Sequence, residues 1–343
     1  MKTTTTTSRL TLSRSAAEAN LATLRALLPK GCAIMAMVKG NGYGTGLLLA
    51  SHLFQELGIS YFGVATIAEG IALREGGIRG DILVYYCPPE EAPLAAEYRL
   101  EPTCFTPEQA EAFTAARLPV HLYVNLGLNR LGCSPDALPQ PDHIRGLMTH
   151  LPSSTLPTHD DETRNQLAQF RTLCHQIDAP YRHALNSAGA LRFSLPEANL
   201  VRIGAALYGF HKLANPPLTL TPAVALTTHL AAIQHCGKGE SVGYEAQFTA
   251  PHATPIGVIP LGYHDGMPLR GTLYINGAPA PIVARTMDFT MCDLTDVPHP
   301  AVGDPVVLFD REHPLEAFAA SSGRSAHETL SVIGPRVERE ITP

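Results

Sequence analysis

Short apolar, β-branched runs alternate with helix-like segments through the first 210 residues of this chain, and such alternation leaves few folds open. Eight runs read as strands, at 34–39, 61–65, 82–86, 103–105, 121–126, 146–151, 183–186 and 200–207. Helix starts stand between several of them. Ser15 with Glu18, Thr66 with Glu69, and Thr106 with Gln109 behind Pro107 have capping-box spacing, in which two side chains satisfy backbone N–H groups that the helix leaves unpaired. Leu21, Leu24 and Leu28 give the first helix an apolar stripe. Strands joined through helices run parallel, and eight such units fit an α/β fold of the (β/α)8 TIM-barrel type. A doubly wound open sheet is the alternative, but no G-x-G-x-x-G follows the first strand to support it.

Beyond about Ala214 the texture changes. Pro216 and Pro217 mark a break, and strand-like runs follow at 226–235, 254–261, 273–275, 282–286 and 305–309. Asn276-Gly277 between two of them is a tight hairpin signal, because both central residues of that turn need positive φ. Helical pattern returns near 315–319. The division expected is a barrel over 11–214 and a mainly β C-terminal domain over 215–343. Thr3–Thr7 is the one low-complexity tract.

Composition excludes several functions. A net charge of −6, with no basic block longer than a pair, argues against a nucleic-acid partner. No run of about 18 apolar residues suits a membrane span, and the threonine-rich start lacks the apolar core of a secretory signal. The 7 cysteines are scattered and never spaced C-x-x-C, which disfavours a disulfide framework or structural zinc and points to a reducing compartment, the cytoplasm by default.

Chemistry concentrates at Lys39. It ends the first expected strand and precedes Gly40-Asn41-Gly42-Tyr43-Gly44-Thr45-Gly46. In a barrel the C-terminal strand ends form the active-site face. A lysine there, after an apolar run, is partly desolvated, which favours its neutral, nucleophilic form. The glycines allow close backbone approach to a ligand, although a Walker A loop would place its lysine after them. On these residues alone, a plain strand-end lysine beside a flexible turn stays equally open.

The run Ala36-Met37-Val38-Lys39-Gly40-Asn41-Gly42-Tyr43-Gly44-Thr45-Gly46 resembles the pyridoxal 5'-phosphate (PLP) signature of the alanine racemase family. Further likenesses follow in the same order: Phe62-Gly63-Val64-Ala65, Gly127-Leu128-Asn129-Arg130-Leu131-Gly132, Asn186-Ser187-Ala188, Val201-Arg202-Ile203-Gly204, Gly243-Tyr244, Gly262-Tyr263-His264-Asp265-Gly266 and Met287-Asp288. Several motifs in register are far more specific than any one.

The resemblance implies a PLP-dependent racemase of a small amino acid, with residues 1–10 joining the β domain. It also implies a head-to-tail homodimer, in which the β domain of one subunit completes the barrel site of the other. Lys39 would hold the cofactor aldehyde and act as base on one face, with Tyr244 as base on the other. His159, held by Arg202, would support the Tyr244 phenolate. Arg202 would face the pyridine nitrogen, and Arg130 the phenolic oxygen. Phosphate contacts would come from Tyr43, Ser187, and the amides of Gly204 and Ala205. Met287 and Asp288 would lie near the substrate carboxylate, and Tyr263 would narrow the entrance. No metal site is implied.

Without the resemblance each residue has a plainer reading. Tyr244 could be a half-buried sheet residue, Arg202 the partner of a carboxylate, Ser187 part of a turn and His159 the start of a helix. The chain also departs from the family pattern. Tyr123 stands where many relatives carry a carbamylated lysine that steadies the arginine, leaving a bound anion or the Tyr123 hydroxyl to orient Arg130. Thr286 replaces a frequent cysteine. His327 stands where relatives place a tyrosine that touches phosphate and walls the substrate methyl, so serine is as reasonable a substrate as alanine. A fold-related PLP lyase or decarboxylase, or a non-catalytic PLP-binding protein, is the competing reading. Decarboxylases of this fold generally place an acidic group where Arg202 stands, and non-catalytic relatives usually end after the barrel.

Overall fold

The computed structural model describes residues 8–214 and 216–343, so the Thr3–Thr7 tract lies outside the described residues. Two compact units result. One comprises Glu18–Leu207 and His211–Leu220; the other comprises the described residues up to Ala17, Tyr208–Phe210 and Thr221–Pro343.

Strand β1 (Arg9–Ser13) opens the described chain and runs straight into the helix Arg14–Leu27. Ser13 therefore caps that helix, its Oγ accepting from Ala16 N at 3.3 Å, and the expected Ser15–Glu18 box does not form because Ser15 is already inside the helix. Leu21 and Leu24 are buried as the stripe requires.

All eight expected barrel strands form: β2 (Ala33–Met37), β3 (Tyr61–Thr66), β4 (Asp81–Tyr86), β5 (Glu101–Cys104), β6 (Val120–Tyr123), β7 (Ile144–Met148), β8 (Tyr181–His183) and β9 (Leu200–Ile203). They are parallel, in the order β8-β7-β6-β5-β4-β3-β2-β9. Asn199 N to Arg182 O at 3.2 Å and Arg202 N to Leu185 O at 3.0 Å draw the two outer strands together, so the barrel is nearly closed. Thr66 and Thr106 cap the helices that follow β3 and β5, and Thr106 with Gln109 makes the full box.

Met35, Met37, Tyr61, Leu83, Tyr85, Tyr123, Met148 and Leu200 pack together in the barrel interior. A polar chain runs beside them. The carboxylate of Glu101 lies 3.0 Å from His121 Nε2, His121 Nδ1 lies 2.7 Å from His183 Nε2, and His183 Nδ1 lies 2.8 Å from Arg202 Nη1. Gly146 makes room for it, because a Cβ there would overlap the His121 ring.

The second unit adds β10 (Val224–His229), β11 (Ala232–Cys236), β12 (Ser241–Val242), β13 (Phe248–Thr249), β14 (Thr254–Ile259), β15 (Thr272–Ile275), β16 (Ala278–Arg285), β17 (Thr290–Asp293), β18 (Pro305–Phe309) and β19 (Glu338–Thr342). Nine strands form one sheet in the order β11-β14-β17-β16-β15-β18-β10-β1-β19, and β12 pairs with β13 as a separate hairpin. The single run expected at 226–235 is two strands, interrupted at Leu230-Ala231, where Leu230 turns its backbone to Asp304 and Gly303. Asn276 (φ 51°) and Gly277 (φ 77°) make the expected tight turn between β15 and β16.

Burial, then the charge of Arg202, holds His183 well below the ordinary histidine range. An unfolded chain protonates that imidazole below about pH 6.5, whereas the folded chain does not, so the unfolded state binds more protons there and stability rises with pH. The melting temperature is therefore expected to fall on acidification through that range, with each such histidine contributing up to about 1.4 kcal/mol per pH unit. His183→Gln should flatten the slope in thermal melts across pH; an identical slope would mean that His183 is charged in the native protein.

Candidate active site

Lys39 does not end a strand. β2 stops at Met37, Val38 N bonds Gly63 O at 3.0 Å, and Lys39 begins a turn. Its next residues take left-handed backbone: Gly40 (φ 64°), Asn41 (55°), Gly42 (64°), Tyr43 (53°) and Gly44 (83°). Left-handed helix costs an L-residue about 1–2 kcal/mol, which is why glycine alternates through the turn. Glu69 clamps the turn to the next strand, one oxygen accepting from Gly40 N at 2.7 Å and the other from Ala65 N at 2.8 Å. Asn41 Oδ1 accepts from Leu47 N at 2.9 Å. Lys39 is half-buried, with its Nζ 5.4 Å from the centre of the Tyr85 ring.

The turn brings Tyr43 against the start of the segment after β9. Its hydroxyl fills the space where a Cβ on Gly204 would stand, so that position excludes any larger residue. Gly204 N donates to Ser187 Oγ at 3.1 Å, and Ala205 is buried beside it. Burial, then Tyr85, pushes the Tyr43 phenol well up, so it stays protonated. Tyr43, Ser187, Gly204 and Ala205 thus meet at one end of the barrel, with hydroxyls and backbone amides and no acidic group of their own.

Arg202 is 1% exposed. Its Nη1 donates to His183 Nδ1 at 2.8 Å and His183 O at 2.7 Å, and its Nη2 to Thr149 O at 2.6 Å, Ala184 O at 3.2 Å and His150 Nδ1 at 3.3 Å. Its Nε is buried with no partner among the described residues. The histidine beside Arg202 is therefore His150, not His159. His159 lies exposed at the start of the helix Asp160–Gln176, whereas His150 directly follows Met148 and Thr149 at the C-terminal end of β7. Burial, then Arg202, Arg130 and Lys39, holds His150 well below the ordinary histidine range. The rule that selected Lys39, position at a strand end, would also have selected His150 and Tyr85.

Arg130 is exposed and follows Asn129, whose φ is 55°. Its side chain acts on the buried Tyr123 hydroxyl through both hydrogen bonding and charge. Burial outweighs that influence and raises the Tyr123 phenol.

The second unit gathers its own set. Tyr244 is 73% exposed on a turn between β12 and β13 that starts at Gly243 (φ 79°) and carries Glu245 (57°) and Ala246 (52°) in left-handed backbone. Gln247, in the same turn, accepts from Arg285 N at 2.9 Å. Tyr263 N then bonds Thr286 O at 3.0 Å, and His264 N bonds Met287 O at 3.2 Å. Tyr263, Met287 and Phe289 are each about half exposed, at 50%, 52% and 45%. Asp288 pairs with Arg336 at 2.6 Å, and Arg336 also grips buried Asp265 at 2.6 Å, a ladder that no motif indicated. His327 lies half-buried in the helix Ala326–Ser331, its ring edge-on to Phe210 at 4.9 Å.

Among the described residues no cluster of histidine, cysteine or acidic groups could hold a metal, no helix is long and apolar enough to cross a membrane, and all 7 cysteines are free. Comparison with known proteins supplies the rest. The family models described as alanine racemase, N-terminal domain, and alanine racemase, C-terminal domain, match residues 12–212 and 223–341. An alanine racemase of Desulfovibrio desulfuricans is 32% identical over 95% of each chain, and one of Helicobacter pylori is 33% identical over 93% of this chain and 95% of its own. The solved biosynthetic alanine racemase of Pseudomonas aeruginosa superposes with a TM-score of 0.88 at 30% identity, over 98% of this chain and 99% of the other. The alanine racemase of Bartonella henselae, solved with covalently bound pyridoxal phosphate, superposes with a TM-score of 0.88 at 26% identity over the same shares. With both domain models matched in order and relatives aligned along nearly the whole chain, this protein belongs to the alanine racemase family.

Proposed function

We propose that this protein is a PLP-dependent racemase of a small amino acid and that it works as a homodimer. The observation that carries the cofactor reading is the buried Arg202 Nε, a donor that lacks an acceptor and suits an unprotonated pyridine nitrogen. Tyr43, Ser187 and the close backbone at Gly204 and Ala205 suit a phosphate, and Lys39 suits an aldehyde.

When bound, PLP withdraws electrons from the substrate α-carbon and makes its hydrogen acidic. The protein then supplies proton transfer. Lys39 Nζ takes or returns the proton on one face, and the partner subunit's Tyr244 does so on the other. Tyr244 needs its phenolate stabilised, since an ordinary phenol is a poor base near neutrality. His150 is the histidine we assign to that task. Arg202 Nη2 donates to its Nδ1, so His150 keeps its proton on Nε2, available as a donor. Arg202 is permanently charged and disfavours a second positive charge on the pyridine nitrogen, which limits transamination.

The dimer reading rests on the exposed apolar face of Tyr244, Tyr263, Met287 and Phe289, a surface that a soluble protein normally covers. Asp288 and Met287 would receive the substrate carboxylate, Tyr263 would narrow the entrance, and Arg130 would stand near the cofactor phenolic oxygen. His327 offers a polar edge where relatives have tyrosine, so alanine and serine are both proposed substrates. The cytoplasm is the proposed compartment, in keeping with the unpaired cysteines.

Purified protein is expected to carry a visible PLP band that Lys39→Ala abolishes; a colourless wild type would end the cofactor reading. Tyr244→Phe should slow α-hydrogen exchange with solvent deuterium in one direction and lower kcat by about 10²–10⁴-fold, measured with both alanine and serine. Mixing Tyr244→Phe with Lys39→Ala subunits should regain activity through mixed dimers. Unchanged exchange in Tyr244→Phe would refute the second base, and no recovery on mixing would refute the shared site.

A further inference from the structure

Arg202 stands at one end of a buried chain of side chains whose other end is a carboxylate. We propose that Glu101, His121 and His183 are positioning residues for Arg202: they form a one-way hydrogen-bond relay through the barrel core that keeps both imidazoles neutral and holds the Arg202 Nε–H toward the cofactor site. The proposal rests on the reading of Arg202 given above for what that N–H meets. The direction of the relay rests on the hydrogen bonds alone.

That direction follows from what each end can do. A guanidinium only donates and an ionised carboxylate only accepts. Arg202 Nη1 sits 2.8 Å from His183 Nδ1, so that nitrogen carries a lone pair and His183 bears its proton on Nε2. His183 Nε2 sits 2.7 Å from His121 Nδ1, so Nδ1 of His121 is the acceptor and its proton is on Nε2. His121 Nε2 then donates to Glu101 at 3.0 Å, with the Tyr61 oxygen 2.7 Å away, while the Tyr61 hydroxyl donates to the same Glu101 oxygen. Reversing any imidazole places two N–H groups face to face against Arg202 or leaves two lone pairs opposed.

The surroundings suit this arrangement. His121 and His183 are fully buried, where a protonated imidazole would be costly beside a guanidinium. At the far end Glu101 also faces Arg145 at 3.4 Å, and Arg145 reaches Asp81 at 3.2 Å. Burial works to raise the Glu101 carboxyl, but His121, Tyr61 and Arg145 hold it below the usual range, so it stays ionised. Tyr181 stacks under the Arg145 guanidinium and faces the Tyr61 ring edge-on. Without an acceptor at Glu101, His121 is free to reverse, His183 follows, and Nδ1–H of His183 pushes the guanidinium away. Glu101 thus acts on the cofactor site through two proton positions.

The test uses the holoenzyme labelled with nitrogen-15 in histidine, the two ring signals being assigned by their loss in His121→Asn and His183→Asn. Both residues are expected to show a bare Nδ1 and a protonated Nε2, the His183 signals staying unchanged from about pH 6 to 9. An imidazolium at either, or Nδ1–H on His183, would overturn the relay. Glu101→Leu should lower kcat by about 10-fold or more with little change in KM and a shifted pH profile of kcat, whereas Glu101→Gln, which keeps an acceptor oxygen, should stay within about threefold of wild type. An equal loss of kcat in the two variants, or an unchanged kcat in Glu101→Leu, would overturn it. Should Glu101→Leu not fold, His121→Asn, whose short amide cannot bridge both neighbours, serves in its place with the same expectation. A wild type without the PLP band would refute the cofactor reading, while the ring signals would still decide the direction of the relay.

Discussion

The barrel site depends on one buried positive charge. Arg202 is enclosed by the barrel, and its charge is tolerated because four of its five N–H groups meet carbonyls or imidazole lone pairs at 2.6–3.3 Å. Leaving water without such partners costs a charged group several kcal/mol. The backbone carbonyls come from the ends of neighbouring strands, at Thr149, His183 and Ala184, so the guanidinium also ties those ends together. What remains is a single N–H, oriented by everything else that the side chain touches.

Around that fixed point the chain uses small residues to let large ones approach. Gly204 gives its side-chain space to the Tyr43 hydroxyl, Gly146 gives its space to His121, and Gly63 to Met37. Each is a place where one methyl group would displace a ring or a thioether from a close-packed interior. The turn after Lys39 is the most demanding. Consecutive left-handed residues are held there by Glu69 and Asn41, and backbone strain of this kind persists only where its surroundings fix it.

Much of the fold was legible in the sequence because its signals are local. Period-two and apolar runs located every barrel strand, and Asn276-Gly277 located a hairpin, since both depend on residues adjacent in the chain. The strands β1, β12, β13, β17 and β19 were not anticipated. β12 and β13 are two residues each, and β1 and β19 pair with each other across more than 300 residues, with β19 rich in charge, so none of these four shows an apolar run of its own. The glycine turn, Tyr43, Ser187 and Arg202, which meet in the barrel, stood out because their motifs are contiguous. His159 was read as the neighbour of Arg202, a place that His150 takes, because sequence spacing does not say which histidine a strand end carries to the barrel mouth. The Glu101–His121–His183 path was invisible for a similar reason. Its members lie on different strands, and only closure of the sheet brings them within hydrogen-bond reach.

The central claim is that Arg202 presents a donor to the cofactor and so keeps its ring nitrogen unprotonated. The most direct measurement is the nitrogen-15 chemical shift of ring-labelled PLP bound to the holoenzyme, followed across pH. The account predicts the shift of a neutral, hydrogen-bonded pyridine throughout the neutral range. The shift of a protonated pyridinium would contradict it.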